Sequence, residues 1–205
     1  LSLFIVFEGG EGCGKSTQAK ALYRRLSRAG IPAVLTHEPG GTSLSLQVRR
    51  WLKEGRKEAV SPLTELLLFA ASRAQLVTEV IRPSLEKGKV VVCDRYVDST
   101  TAYQGYGRGV EMEVIHQIGN IATQGIYPDL VILLDIPVEA GLSRKKTIKD
   151  RFEQEELSFH QRVRQGYLQM AAEEPERWLV VDAALPKEKV AEIVWEKVSP
   201  LVGRR

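Results

Sequence analysis

The run Gly9-Gly10-Glu11-Gly12-Cys13-Gly14-Lys15-Ser16 constrains this chain more than any other feature. It matches G-x-x-x-x-G-K-[ST], follows the apolar stretch 3–7 and leads into a segment with helical spacing. Glycines let a backbone turn tightly and aim its N–H groups at phosphate oxygens, and the helix N-terminus beyond them adds partial positive charge. Such a loop predicts a triphosphate cradle built from Gly9, Gly10, Glu11, Gly12, Cys13 and Gly14, with Thr17 supporting the turn. Lys15 is expected to reach the β- and γ-phosphates. The Ser16 hydroxyl suits Mg²⁺, which prefers hard oxygen ligands and keeps several waters. A glycine-rich turn that merely joins strand to helix is the alternative, and the agreement of motif with context argues against it.

Four more short apolar runs, at 33–36, 90–93, 130–134 and 178–181, read with 3–7 as buried strands. Segments 16–28, 62–81, 112–123, 155–172 and 187–198 carry helical spacing. Ser61-Pro62 forms an N-cap and first-turn pair, and Gly30, Gly88 and Gly125 sit where helices should stop. Strand and helix therefore alternate, which predicts a three-layer α/β fold around a parallel sheet, with ligands at the carboxyl ends of its strands. The 205 residues suit one domain, 1–205. A 43% hydrophobic, 27% charged composition is globular and excludes disorder. The net charge of +3 is modest and its cations are dispersed, so no nucleic-acid partner is expected. No stretch reaches the roughly 18 apolar residues of a membrane span, and the start of the chain lacks the marks of a leader. Cys13 and Cys93 show no metal or disulfide spacing, which fits a reducing, cytoplasmic setting.

The same cradle serves GTPases, motors and small-molecule kinases, so the remaining motifs decide. No Asn-Lys-x-Asp guanine-reading sequence occurs, and the chain is short for a motor. The apolar run 90–93 ends in Asp94 and Arg95, facing the cradle: Asp94 is a candidate to hold Mg²⁺ through water, and Arg95 offers a planar fork that bridges two phosphates. A surface salt bridge is the other reading of that pair. Phe69 and Arg73, four apart, share a helix face and suit a nucleotide base with its phosphate, although Phe69 taken alone reads more readily as core. The polar interval 144–156, with Arg144, Lys145, Lys146, Lys149 and Arg151, reads as a mobile basic lid. Together these point to a kinase of small acceptors. A nucleotide-dependent switch that binds ATP and a protein partner is the alternative from another class.

Several blocks occur in order across nearly the whole chain: the glycine loop, Glu38-Pro39-Gly40-Gly41-Thr42, Phe69-Ala70-Ala71-Ser72-Arg73, Asp94-Arg95-Tyr96, Ala102-Tyr103-Gln104-Gly105 and Asp150-Arg151-Phe152-Glu153. This set resembles the bacterial type of thymidylate kinase. The resemblance implies a P-loop NTPase fold with a five-stranded parallel sheet, a homodimer, and transfer of the γ-phosphate of Mg-ATP to dTMP, giving dTDP. It implies that Phe69 stacks on thymine, that Arg73 bonds the base edge, and that Glu38, Ser99, Thr100 and Gln104 belong to the acceptor site. For Ser99, Thr100 and Gln104, ordinary capping and loop polarity is the rival reading. By the same resemblance Arg49 and Arg95 hold the acceptor phosphate, Tyr103 crowds the sugar 2′ position, Glu11 approaches the 3′-hydroxyl or the metal shell, and Arg144 packs on adenine.

Two departures bear on the site. His37 stands where the family often has Arg. Gly12 stands where some relatives carry an arginine in the loop, so the lid is expected to supply that charge, with Arg151 as the residue chosen. An ion pair of Arg151 with Glu153 or Glu155 is the structural alternative. Cys13, near Lys15, reads either as a reactive thiol or as inert packing. A kinase of dUMP, CMP or AMP is the nearest rival activity.

Overall fold

A computed structural model describes residues 2–53, 60–144 and 151–203 of the chain. Strands β1 (Leu3–Glu8), β2 (Ala33–His37), β3 (Val90–Asp94), β4 (Leu130–Asp135) and β5 (Trp178–Asp182) form one sheet in the order β2-β3-β1-β4-β5. All neighbours pair in parallel. Every strand runs one residue beyond the apolar run that announced it, and each added residue is polar: Glu8, His37, Asp94, Asp135 and Asp182. Ladder bonds come from the backbone, so a strand continues wherever a neighbour offers a partner, whatever the side chain. Asp94 pairs with both Phe7 and His37, and Asp135 with Asp182, which aligns these polar ends along the carboxyl rim.

The helices are α1 (Lys15–Arg28), α2 (Ser43–Lys53), α3 (Pro62–Leu76), α4 (Arg82–Glu86), α5 (Val97–Thr100), α6 (Met112–Thr123), α7 (Val138–Ser143), α8 (Leu157–Glu173) and α9 (Lys187–Val202). The period-two alternation of β1 splits the core between its faces. Ile5 and Phe7 meet Leu22 and Leu26 of α1 in a cluster that also holds Val190, Val194 and Val198 of α9. Phe4 and Val6 face the other way, onto Leu76, Val77, Ile81 and Tyr96. On that side of β4, Val131 and Leu133 cluster with Phe159, Val163 and Tyr167 of α8. The expected parallel α/β arrangement is therefore present, with helices on both faces of the sheet.

The differences from expectation lie in the helices. The segment expected at 62–81 starts as foreseen, with Ser61 Oγ accepting from the Thr64 N–H at 3.2 Å and Pro62 in the first turn. It then widens into a π-helical stretch, Val77–Ile81, and continues as α4 to Glu86. Pro83 cannot donate to the carbonyl four residues back and its ring crowds that position, so a wider turn just before it relieves both problems. A second π-helical stretch, Thr101–Gly107, extends α5 and carries Tyr103 and Gln104. Helices α2, α5 and α7 were not foreseen. Of the expected lid, Arg144 and 151–156 are described, while Lys145, Lys146 and Lys149 lie outside the described residues. Among the described residues no helix is long and apolar enough to cross a membrane, and both cysteines are free thiols.

Candidate active site

The glycine loop joins β1 to α1 in a conformation only glycine tolerates easily. Gly9 has a φ of 140°, and a Cβ there would come within 2.9 Å of Cys13 Sγ and 2.5 Å of the Leu134 carbonyl oxygen. Gly12, with a φ of 71°, lies so close to Gly141 of α7 that a Cβ would run into its carbonyl. Gly14 caps α1, accepting from the N–H groups of Thr17 at 3.0 Å and Gln18 at 3.1 Å. The Lys15 ammonium donates to the carbonyls of Gly9 at 3.0 Å and Gly10 at 2.6 Å, drawing the loop around itself. Cys13 is 3% exposed beneath the loop, with Sγ 3.3 Å from Lys15 Nζ. The Ser16 hydroxyl donates to the Asp94 carboxylate, which brings two hard oxygen groups together at the start of α1 and the end of β3. That donor set fits Mg²⁺, which takes one or two protein oxygens plus phosphate and water. Among the described residues no cluster of three or more His, Cys, Asp or Glu side chains offers a fuller cage.

Arg95 follows β3 with a φ of 71°, an uncommon and costly conformation for a residue with a side chain. Its Nη2 donates to Glu11 Oε1 at 2.7 Å and to the Tyr103 hydroxyl at 3.1 Å. Its Nη1 donates to the Gly9 carbonyl at 3.2 Å, Ser99 Oγ at 3.2 Å and the Tyr167 hydroxyl at 3.4 Å. The Tyr103 hydroxyl in turn donates to Glu11 Oε1 at 2.8 Å. This is no surface salt bridge: the Arg95 and Glu11 side chains are only 17% and 13% exposed.

A slot opens beside Arg95, lined by Glu11, Glu38, Phe69, Arg73, Ser99, Thr100, Tyr103, Gln104 and Phe152 among others. Arg73 is 1% exposed; it donates from Nε to Glu38 Oε2 at 2.9 Å and from Nη2 to the Tyr96 carbonyl at 3.0 Å and Thr100 Oγ1 at 2.9 Å. Arg73 Nη1 and Glu38 Oε1 are buried without a hydrogen-bond partner among the described residues. An unpaired buried donor is costly, and one that lines a slot is a feature a ligand can satisfy. Phe69 is half-buried, its ring 5.9 Å from that of Phe152. About 60 Å³ of space remains in the slot, against about 600 Å³ in the adjoining cleft. That cleft is lined by Gly12, Gly14, Lys15, Ser16, Thr17, His37, Arg49, Asp94 and Arg144, and it shares Glu11, Glu38, Pro39 and Arg95 with the slot. Burial and the nearby Arg49 guanidinium hold the His37 imidazole below its ordinary range.

Arg151 lines neither space. Among the described residues its guanidinium is paired with Glu65, where the structural alternative had named Glu153 or Glu155. Glu65, 1% exposed in the first turn of α3, also accepts from Gln104 Nε2 at 2.7 Å and Arg108 Nε at 3.3 Å. Arg108 reaches Glu155 at 2.7 Å as well. Glu65 thus ties the start of the described lid segment to a residue of the slot. Sequence reasoning passed over it, because an acid in a first helical turn looks like ordinary dipole compensation. It also passed over Glu8 and Tyr167. The charge of Glu8 directly after an apolar run was a usable signal, whereas nothing local marks Tyr167.

A family model described as thymidylate kinase matches residues 7–194. The chain is 52% identical over 206 residues to a thymidylate kinase of Dehalococcoides mccartyi, covering 100% of this chain and 99% of that one. It is 51% identical over 207 residues to a thymidylate kinase of Thermomicrobium roseum, covering 100% and 98%. Among solved structures it is similar to the crystal structure of thymidylate kinase from Ehrlichia chaffeensis, with a TM-score of 0.78, 35% identity, and coverage of 94% and 98%.

The buried Glu38–Arg73 pair makes stability depend on pH. Burial pushes the Glu38 carboxyl from an ordinary 4.5 up to about 7, against the pull of Arg73. Between those values the folded chain keeps a proton that the unfolded chain has released, so this contribution is complete below the lower value and is lost as pH rises through the upper one. Denaturant unfolding of the parent chain and Glu38→Gln at about pH 5 and about pH 8 should show the parent losing ground relative to the variant at the higher pH. A difference that stays constant with pH would mean that Arg73 keeps the carboxylate ionised throughout.

Proposed function

This chain belongs to the thymidylate kinase family, and on that premise we propose that the slot seats dTMP while the glycine loop holds the phosphates of ATP. The enzyme is a nucleoside monophosphate kinase that moves the γ-phosphate of ATP to dTMP, giving dTDP and ADP. The placement of its substrates rests on one observation: Glu11 and Arg95 line both the slot and the loop's cleft, so a single guanidinium faces an acceptor in one and a donor in the other. In this reading thymine lies against Phe69, and Arg73 Nη1, without a partner among the described residues, takes a carbonyl of the base. Glu38 holds Arg73 in place, and Ser99, Thr100 and Gln104 surround base and sugar. Tyr103, fixed through Glu11, closes the space beside the sugar 2′ position and so favours deoxyribose. Arg49 and Arg95 take the acceptor phosphate, and Arg144 packs on adenine.

A phosphate monoester has a second pKa near about 6, so the attacking oxygen is largely ionised at neutral pH and the reaction asks for no strong base. The protein's task is positioning and charge neutralisation. Lys15 exchanges the carbonyls of Gly9 and Gly10 for β- and γ-phosphate oxygens. Ser16 and Asp94 would hold Mg²⁺, which when bound neutralises phosphate oxygens. Arg151 exchanges Glu65 for the transferring phosphate once both nucleotides are seated. A survey of dTMP, dUMP, CMP and AMP by ADP release tests the substrate reading, with dTMP expected to be preferred; equal turnover of all four would overturn it. Arg151→Ala should lower kcat by on the order of 10³-fold while dTMP binding barely changes, as loss of a transition-state contact requires. An unchanged kcat would remove Arg151 from the mechanism.

We also propose a homodimer through the flank formed by α2, α3 and α6. Helix α3 packs on both α2 and α6. Leu46 of α2, Leu63 and Leu67 of α3 and Ile121 of α6 are exposed at 44%, 50%, 50% and 77%. Exposed large apolar side chains on adjoining helices suit an interaction surface. Leu67→Arg should shift the sedimenting species from dimer to monomer; a parent chain that sediments as a monomer at micromolar concentration would refute the assignment.

A further inference from the structure

Glu8 ends β1 with no exposed surface, one residue before the glycine loop. Its carboxylate takes four donors. Oε1 accepts from the backbone N–H of Tyr96 at 2.8 Å and of Ser99 at 3.2 Å, and Oε2 accepts from the hydroxyls of Ser99 at 2.6 Å and Tyr167 at 2.8 Å. A hydroxyl has one proton, and the Ser99 and Tyr167 hydroxyls, 2.9 Å apart, divide theirs between Glu8 and each other, so each oxygen keeps a lone pair for a further donor. Those lone pairs meet Arg95 Nη1, at 3.2 Å from Ser99 and 3.4 Å from Tyr167. The bond to Tyr96 N–H also fastens the residue directly after Arg95, whose backbone is in the left-handed region.

We propose that Glu8 and Tyr167 are positioning residues that set the Arg95 guanidinium for the acceptor phosphate, a role that rests on the assignment of Arg95 made above. Neither residue lines the slot. They act through Arg95: the carboxylate orients two hydroxyls, the hydroxyls fix Nη1, and Nη2 is left on the side of Glu11 and Tyr103. The plain competing account is that a buried tyrosine hydroxyl needs a partner and Glu8 supplies it for the sake of the fold alone.

Thymidine separates the two accounts, because it carries the base and sugar of dTMP without the phosphate. Calorimetric binding of dTMP and of thymidine would be measured on the parent chain, Glu8→Gln, Tyr167→Phe and Arg95→Ala. In Glu8→Gln and Tyr167→Phe, dTMP affinity should fall about tenfold, as for loss of a hydrogen bond to a charged group, while thymidine affinity stays within about twofold. An equal loss for both ligands would reduce Glu8 and Tyr167 to structural residues, and no loss for either would overturn the proposal outright. Should Glu8→Gln fail to fold, Tyr167→Phe decides alone, since it removes one hydroxyl and leaves ring and carboxylate in place. If Arg95→Ala keeps the parent affinity for dTMP, the assignment of Arg95 itself is wrong, and the positioning role falls with it.

Discussion

Two guanidinium groups held out of water, each against a carboxylate, organise the whole site. Arg95 is held by Glu11 and Arg73 by Glu38, so both cations are oriented before any ligand arrives. Breaking such a pair from one side leaves an uncompensated buried charge, which costs more than either partner contributes alone. On the role proposed for Arg95, an incoming phosphate meets a guanidinium whose direction is already set. A cation fixed beforehand keeps reorganisation small, as electrostatic stabilisation requires.

The strands were legible to within a residue, and the residue missed was informative. An apolar run marks where a strand is buried on both faces, but pairing continues as far as the backbone finds partners. Glu8, His37, Asp94, Asp135 and Asp182 all sit in that one-residue margin. A reading based on hydrophobicity stops where the rim begins, and the rim is where the chemistry collects. Helices were less legible where context overrides local pattern. Pro83 would ordinarily end a helix, yet a widened turn lets the rod continue to Glu86. The segment from Val97 to Gly107 mixes small, polar and aromatic residues without a helical period, because it packs against α3, α6 and α8 while Ser99, Thr100, Tyr103 and Gln104 also line the slot.

Of the site, the glycine loop could be read directly as one contiguous motif; Ser16 and Asp94, named separately as Mg²⁺ candidates, prove to touch, and Phe69 and Arg73, read as one helix face, both line the slot. Parts that exist only through tertiary packing could not. Tyr167 lies 159 residues from the carboxylate it serves, and its place in the helical pattern of α8 marks it as core, which it also is. Arg151 was expected to serve the transferring phosphate, and the structure shows it paired with Glu65. Nothing in the lid motif says that a glutamate 86 residues earlier receives it.

That glutamate has a wider consequence. Gln104, Arg108 and Arg151 all address the single carboxylate of Glu65, so no one of them can be altered without changing the electrostatic surroundings of the other two. Groups that share one acceptor behave as a thermodynamic unit, with coupling energies of about 0.5–3 kcal/mol in double-mutant cycles. Tolerance of a substitution at any of these positions is then conditional on the residues at the others, and drift along this part of the chain is confined to correlated steps.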